Sequence, residues 1–287
     1  MRHIALLEFQ PNLITVIVPP HSYLEKTNGT LPQENCRLQI DENGLMVSAK
    51  PRIPNDSAVL LLGSSPIENL YIPEDARILS RIEQIFMARK KNVKVYSAAV
   101  SDAHLLHLLN SLMNKGIALR PRCVIYYAAQ TLDIYANEVD SAYWNLDGAM
   151  TPIRDSKNES KKVPISTFTN RNKFDDTKRF LRSLCDISRN FDIVPFLATW
   201  PIYGSYDEYM QKHYGKPDAF KAQQAQALNL NEVIRDVCRE KECELIDLAR
   251  TFADLDHHHY FYDWNHPNKA GCELIASVTS LALQPFL

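Results

Sequence analysis

One serine stands on a segment where a strand would pass into a helix. Residues 62–69 read Leu-Gly-Ser-Ser-Pro-Ile-Glu-Asn and follow an apolar run, which puts Ser65 at the start of that helix. Backbone N–H groups at a helix start can stabilise a developing oxyanion, so Ser65 is a candidate nucleophile. A structural interpretation stays open, because Ser65, Pro66 and Glu68 also match a helix capping box.

An acid and an imidazole with suitable spacing occur near the C-terminus. Asp263 and His266 lie three residues apart and directly precede Pro267, where we expect the final helix to begin. A carboxylate at this spacing can hold the imidazole in its working tautomer, and the imidazole can then accept the serine proton. Two earlier Asp-x-x-His pairs share the spacing, beginning at residues 254 and 256. The position of His266 against the helix start favours the last pair.

The histidine run at 257–259 raises the question of a metal site, since imidazole is a common zinc ligand. Adjacent residues rarely converge on one ion, and no spaced ligand pattern accompanies the run. The six cysteines include no C-x-x-C pair, which argues against both a zinc site and a disulfide scaffold. We therefore expect no metal and no cofactor. Metal-dependent hydrolysis through the histidine run is kept as a minor alternative.

Short apolar runs alternate with longer amphipathic stretches from Ser57 onward. The apolar runs predict strands at 58–62, 93–96, 123–127, 193–198 and 244–248. Continuous apolar strands separated by amphipathic helices are typical of a parallel sheet that is covered on both faces. We expect an α/β fold, a three-layer α/β/α sandwich with a five-stranded parallel, flavodoxin-like sheet. In such folds the site lies beyond the carboxyl ends of the strands.

Two segments fall outside this alternation. Residues 1–50 contain two further apolar runs and predict an N-terminal β extension, which leaves 51–287 as the α/β domain. Residues 134–170 are polar and predict an insertion at the active edge of that domain.

Composition excludes several partners. The chain has 287 residues and a formal net charge of −2, and Glu159 interrupts its one basic cluster. A nucleic-acid partner is therefore not expected.

No segment reaches the roughly 20 apolar residues that span a bilayer. Polar residues also interrupt the N-terminus where a signal peptide would need an apolar core. These features predict no membrane span and a cytoplasmic location.

Three segments together resemble the SGNH (GDSL-type) hydrolase superfamily. They are the Gly-Ser-Ser turn at 63–65 followed by Glu68, the Asp-x-x-His segment at 263–266, and an upstream Asp-Glu-Asn-Gly-Leu segment at 41–45. The last of these is similar to a block found in one bacterial branch. The resemblance covers roughly residues 41–287. It implies a flavodoxin-like sandwich and ester hydrolysis or acyl transfer, with Ser65 as nucleophile, His266 as base and Asp263 as its orienter.

The oxyanion hole departs from the pattern of the resembled family. The chain has only 8 glycines, and Asp102 stands where the family places a glycine whose N–H enters that hole. Thr131, or with a one-residue shift Gln130, stands where the family has an asparagine donor. The predicted oxyanion donors are thus Ser65, Asp102, and Gln130 or Thr131. Alternatively, Ser101 or Asp102 caps the helix that follows.

Three aromatic residues are predicted to line a substrate pocket: Trp200, Tyr203 and Trp264. Ordinary packing under the last loop would account for them equally well. The leading hypothesis is a serine esterase or acyltransferase acting on a small acyl ester, carried on a carbohydrate or lipid. The alternative is a catalytically weak or inactive SGNH-like protein that binds a ligand in the same cleft.

Overall fold

A computed structural model describes residues 4–5, 7–51, 53, 56–128, 132–134, 136, 143, 154–155, 174–203 and 217–287. Within these residues the strands are β1 (Ile4–Ala5), β2 (Ile14–Ile17), β3 (Cys36–Gln39), β4 (Met46–Val47), β5 (Ser57–Leu62), β6 (Val93–Ser97), β7 (Cys123–Tyr127), β8 (Arg154–Asp155), β9 (Val194–Ala198) and β10 (Glu244–Ile246). The α-helices are α1 (His21–Leu24), α2 (Ser65–Glu68), α3 (Ile78–Ala88), α4 (Leu105–Ser111), α5 (Asp175–Asn190), α6 (Pro217–Lys241), α7 (Leu248–Thr251), α8 (His257–Tyr260) and α9 (Lys269–Leu283).

The central sheet has the strand order β10-β9-β7-β5-β6-β4. Its first five strands are parallel, which confirms the predicted parallel sheet, and β4 adds a sixth, antiparallel strand beside β6. Every residue of β6 and β7 is buried. This burial explains why β7 is a continuous apolar run without alternation. Strand β6 also contains Lys94, whose buried amine donates to the Ser48 hydroxyl at 2.9 Å.

Helices form the layers on either side of this sheet. One set pairs α3 with α9, and the other packs α4 against α5 and α5 against α6. Apolar positions three or four residues apart create the packing faces, as in α5, where Leu181, Leu184 and Cys185 are buried. The sheet and both sets of helices share one continuous hydrophobic core. The predicted three-layer α/β/α sandwich is therefore confirmed.

Two predicted boundaries are wrong because asparagine or aspartate caps a helix there. The final helix begins at Lys269 and not at Pro267, since the Asn268 side chain accepts the Gly271 N–H at 3.1 Å. Pro267 instead forms a β-bridge with Phe261. Strand β10 ends at Ile246 and not at residue 248, because Asp247 caps α7.

The structure describes most of the predicted N-terminal extension and little of the polar insertion predicted within the α/β domain. Strands β2 and β3 form a separate antiparallel pair, and β1 pairs with β8. Most of the polar insertion predicted at 134–170 lies outside the described residues. The division at residue 50 stays a prediction, and β4, on its N-terminal side, belongs to the central sheet. Among the helices that the structure describes, none has the length and apolar character to cross a bilayer.

Gly271 provides a test of the packing between α9 and the loop before it. A Cβ atom at this position would lie 2.1 Å from the Tyr260 carbonyl oxygen and 2.8 Å from the Pro267 Cβ. The backbone must move to make room for this Cβ atom. Gly271→Ala should therefore lower the free energy of unfolding by about 1–3 kcal/mol. Urea denaturation measures this change. Leu281→Ala, at a 65% exposed position of the same helix, is the control, and equal effects of the two variants would contradict the packing.

Candidate active site

The carboxyl end of β5 carries the serine turn. The strand ends at Leu62, and Gly63 and Ser64 lead directly into the four-residue helix α2, whose first residue is Ser65. A Cβ atom at Gly63 would lie 2.6 Å from Ile67 Cγ1, so the turn closes this tightly only with glycine. Ser65 itself is half-buried. Its hydroxyl lies at the sheet edge where parallel α/β folds place their sites.

The loop before α9 brings an imidazole and a carboxylate to this serine. His266 Nε2 lies 2.9 Å from Ser65 Oγ, and His266 Nδ1 lies 2.7 Å from Asp263 Oδ2. The second carboxylate oxygen of Asp263 accepts the N–H groups of Asn265 at 2.8 Å and His266 at 2.7 Å. The structure thus brings all three predicted residues into one hydrogen-bonded chain. In this arrangement the serine hydroxyl donates to an imidazole whose tautomer the carboxylate sets.

Asp263 is 8% exposed, which makes its charge the main electrostatic feature of the loop. Burial alone would raise the pKa of this carboxyl group. The adjacent His266 and the two backbone N–H donors outweigh burial, so the pKa of Asp263 falls below its ordinary value. The carboxylate therefore stays ionised at neutral pH, where it can stabilise a protonated imidazole.

The capping box kept as the alternative interpretation of Ser65 and Glu68 does not form. Ser64 is the N-cap of α2, and it makes no side-chain capping bond. The Glu68 carboxylate instead accepts a short hydrogen bond from the Ser101 hydroxyl, on the loop after β6. Glu68 is 2% exposed, and burial raises its pKa while the bonds from Ser101 oppose the rise. Glu68 therefore joins two loops of the site.

The loop after β6 runs alongside the serine turn. Ala98 N–H donates to the Leu61 carbonyl at 2.9 Å, and Val100 N–H donates to the Gly63 carbonyl at 3.3 Å. Asp102 follows with a φ of 64°, a left-handed conformation that favours glycine and that aspartate tolerates better than most residues. Asp102 thus has a glycine-like backbone conformation at the position where the resembled family has glycine.

Two predicted oxyanion donors are in the described part of the chain. Within that part, neither the Ser65 N–H nor the Asp102 N–H has a hydrogen-bond acceptor. The Asp102 side chain is exposed, so its carboxylate has room to point into solvent. The other predicted donors, Gln130 and Thr131, lie outside the described residues.

The alternative role predicted for Ser101 or Asp102 as a helix cap is wrong. Helix α4 begins later, at Leu105, and the Leu105 N–H donates to Asp133 Oδ1 at 2.9 Å. The buried Asp133 also accepts the Tyr126 hydroxyl at 2.5 Å. A carboxylate from the loop after β7 thus satisfies the helix start, which leaves Ser101 and Asp102 outside the helix.

Asn69 connects the two halves of the site, although the sequence pattern did not single it out. It ends α2 in a left-handed conformation with φ 42°, and its amide donates to the Pro267 carbonyl at 2.8 Å. Its side-chain oxygen accepts the Tyr262 hydroxyl at 3.3 Å. The Tyr262 ring stacks on the His266 imidazole, with 5.6 Å between ring centres and 6° between planes. Asn69 therefore fixes the histidine loop relative to the serine helix.

The N-terminal segment also contacts the histidine loop. Tyr23, on α1, donates its hydroxyl to Asp263 Oδ2 at 3.4 Å. Asn28 donates its side-chain amide to the Phe261 carbonyl at 2.7 Å and its backbone N–H to the Tyr262 carbonyl at 2.9 Å. A residue more than 200 positions away in sequence cannot be linked to Asp263 by spacing, so these contacts were not predicted.

The three aromatic residues predicted to line the pocket have different surroundings. The prediction for Trp200 is corrected: it is 0% exposed, and its indole N–H donates to the Asn265 carbonyl at 3.3 Å, so it belongs to the core. Tyr203 is buried as well, with its hydroxyl 2.7 Å from His258 Nε2. Trp264 is half-buried and lies between Asp263 and His266 in the chain.

The histidine run forms the short helix α8. His257 stacks on Phe261, with ring centres 4.0 Å apart and 14° between planes, and His258 bonds to Tyr203. Burial, and the adjacent His258, lower the pKa of His257 to about 4. In the described residues, no three His, Cys, Asp or Glu side chains are arranged to hold a metal ion.

His257 should make stability fall on acidification. Its pKa is lowered in the folded state from an ordinary 6.5 to about 4. Below pH 6.5 the unfolded chain therefore binds a proton that the folded protein excludes, and this loss is complete near pH 4. From pH 7 to pH 5 the loss should be about 2 kcal/mol. Urea denaturation of wild type and His257→Gln at both pH values measures it, and equal pH dependence in the two proteins would contradict the assignment.

Comparisons with known proteins agree on the fold. No family model matches the sequence, and no curated protein matches it. An acetyl xylan esterase structure superposes with a TM-score of 0.56 at 14% identity, covering 79% of this chain and 99% of that one. A lipase/acylhydrolase from Enterococcus faecalis gives 0.54 at 13% identity, with coverages of 80% and 96%. A GDSL-like lipase from Bacteroides thetaiotaomicron gives 0.52 at 13%, with coverages of 83% and 94%. The chain therefore has the fold of the SGNH (GDSL-type) hydrolases.

Proposed function

We propose that this protein is a serine ester hydrolase whose catalytic triad is Ser65, His266 and Asp263. The observation that carries the proposal is the continuous path from Ser65 Oγ to His266 Nε2 at 2.9 Å and from His266 Nδ1 to Asp263 Oδ2 at 2.7 Å. A nucleophile, a base and a group that orients the base are the three parts that this chemistry requires. The fold shared with esterases and acylhydrolases supports the same reaction class.

The reaction would proceed in two stages. Ser65 Oγ attacks the ester carbonyl while His266 Nε2 accepts the hydroxyl proton, and the Asp263 carboxylate stabilises the imidazolium. His266 then returns the proton to the departing alkoxide, so that an alcohol leaves and an acyl group remains on Ser65. In the second stage His266 activates a water molecule, which releases the acid and restores the serine.

The negative charge of the tetrahedral intermediate needs donors beside Ser65. The backbone N–H groups of Ser65 and Asp102 are suited to this role, because neither has an acceptor in the described part of the chain. Gln130 or Thr131 would provide the third donor. Loss of one such donor typically lowers the rate by about 10²–10³-fold. This unusual set of donors therefore determines the rate of hydrolysis.

A small acyl ester on a carbohydrate is the substrate class that we favour. Acetyl xylan esterases are among the proteins with this fold. Trp264 is half-buried and adjoins both Asp263 and Asn265, so its ring is the one predicted pocket aromatic with surface available to a sugar face. We propose water as the acyl acceptor.

Replacing Ser65 should abolish turnover while replacing its neighbour should not. Ser65→Ala should lower kcat by at least about 10⁴-fold, because the nucleophile and the proton path are lost together. The measurement is initial-rate hydrolysis of p-nitrophenyl esters from acetyl to octanoyl. We expect the wild type to be fastest on acetyl.

Ser64→Ala is the matched control for this experiment. Ser64 is 7% exposed and makes no side-chain capping bond, so its loss should leave kcat near the wild-type value. Equal activity of Ser65→Ala and wild type would refute the triad. Failure of the wild type to hydrolyse any of the esters would favour the ligand-binding alternative.

The Glu68–Ser101 bond should affect kcat because it anchors the loop that carries Asp102. Glu68→Ala removes the acceptor of the Ser101 hydroxyl and should lower kcat by about 10–100-fold with little change in KM. Glu68→Gln keeps an acceptor oxygen and should retain most activity.

Ser101→Ala tests whether the two residues act together. It should lower kcat about as much as Glu68→Ala, and the double variant should lose no more than either single one. Circular dichroism of each variant separates this effect from misfolding. Unchanged kcat in a folded Glu68→Ala protein would show that the bond does not position the oxyanion donors.

A further inference from the structure

Three cysteine thiols converge at the C-terminal end of α6. Cys243 Sγ lies 3.3 Å from Cys238 Sγ, and the Cys185 thiol of α5 interacts with Cys243 closely enough to alter its pKa. Cys185 and Cys238 are 0% and 4% exposed, whereas Cys243 is half-buried. Cys243 is therefore the most exposed of the three, with two buried thiols beside it.

The backbone brings Cys238 and Cys243 together. Helix α6 ends at Lys241, and the chain turns back so that the Cys243 N–H donates to the Cys238 carbonyl at 3.1 Å. A disulfide requires an S–S distance of about 2.05 Å, with the two residues close in space. From the 3.3 Å separation, the sulfurs need to approach by only about 1.3 Å. Rotation of the side chains can supply this movement.

The surroundings of Cys243 favour its thiolate and admit a small reagent. Cys243 borders two surface cavities of about 760 Å³ and about 370 Å³, and Cys238 also borders the larger of them. Interactions with the neighbouring Cys185 and Cys238 thiols lower the pKa of Cys243, and the Arg189 guanidinium adds to this effect. Arg189 is held there because it donates to the Glu242 carbonyl at 2.8 Å. Oxidisable cysteines typically occupy such partly exposed sites beside a positive charge.

We propose that Cys243 is an oxidation site, at which a small peroxide produces a disulfide with Cys238. The Cys243 thiolate attacks one peroxide oxygen, the O–O bond breaks, and hydroxide leaves, which gives a sulfenic acid. The Cys238 thiol then attacks the Cys243 sulfur and displaces water, which forms the S–S bond. The two thiols lose two electrons together, and hydrogen peroxide is reduced to two molecules of water.

The crosslink would join the end of α6 to the residue directly before β10. Cys185 remains beside the new disulfide as a third thiol. It can attack that bond, so that Cys243 again takes part in thiol–disulfide exchange. The proposal is independent of the proposed ester hydrolysis, because it involves neither the serine nor the histidine loop.

Peptide mapping of the full chain tests the proposal. Protein is treated with hydrogen peroxide, the remaining thiols are alkylated, and tryptic peptides are analysed by mass spectrometry. The expected product joins peptide 236–239 to peptide 242–250 and has lost two hydrogens. It should form at least about tenfold faster than any oxidation of the buried Cys36 or Cys272.

Three variants assign the roles within the cluster. Cys243→Ala should abolish the crosslink, and Cys185→Ala should leave it intact. Cys238→Ala should leave Cys243 as a sulfenic acid that dimedone captures, or joined to peptide 183–189 through Cys185. Cys123→Ala, at a buried position in β7, is the control and should not alter the crosslink.

Two results would overturn the proposal. One is that peroxide leaves Cys243 reduced while Cys36 or Cys272 is oxidised. The other is that dimedone labels Cys238 in the Cys243→Ala protein at least as readily as Cys243 of the Cys238→Ala protein is oxidised, counting both its dimedone adduct and its crosslink to Cys185. Either result would remove Cys243 from its role as the accessible thiol.

Discussion

A buried carboxylate organises the candidate active site of this protein. Asp263 Oδ1 accepts two backbone N–H groups of its own turn, and Oδ2 lies 2.7 Å from the His266 imidazole. Loss of the charge would leave these donors unsatisfied in a region removed from water, at a cost of about 1–3 kcal/mol for each. The same carboxylate therefore fixes both the geometry of the turn and the orientation of the imidazole. Contacts from Tyr23 and Asn69 reinforce this arrangement from two other parts of the chain.

The central sheet positions the serine next to the turn that Asp263 organises. Parallel strands end at one edge, so β5 delivers Ser65 and β6 delivers the loop with Asp102 to neighbouring positions. Glu68 then joins the two loops through Ser101. At Asp102, one of the predicted oxyanion positions, the backbone adopts a glycine-like conformation and the side chain is exposed. A shortage of glycine thus does not prevent a glycine-like turn at this position.

Sequence patterns predicted the features that depend on residues close together in the chain. The parallel strands are rich in apolar residues, so all five were found, whereas the two-residue strand β4 is too short to give a pattern and depends on its pairing with β6. Asp263, His266 and Ser65 were recognised by residue type and spacing. Asn69, Tyr23 and the Glu68–Ser101 bond were missed because they join segments that are distant in sequence. Trp200 was misassigned because an aromatic residue after a strand can enter either the core or a pocket.

The central claim is that Ser65 is a nucleophile activated by His266 and Asp263. Reaction with a fluorophosphonate, followed by fragmentation of the labelled peptide, tests it most directly because the reagent is attacked only by an activated hydroxyl. The account predicts a single adduct on Ser65, retained in Ser64→Ala and lost in His266→Ala. An adduct on another residue, or none on the folded wild-type protein, would contradict it.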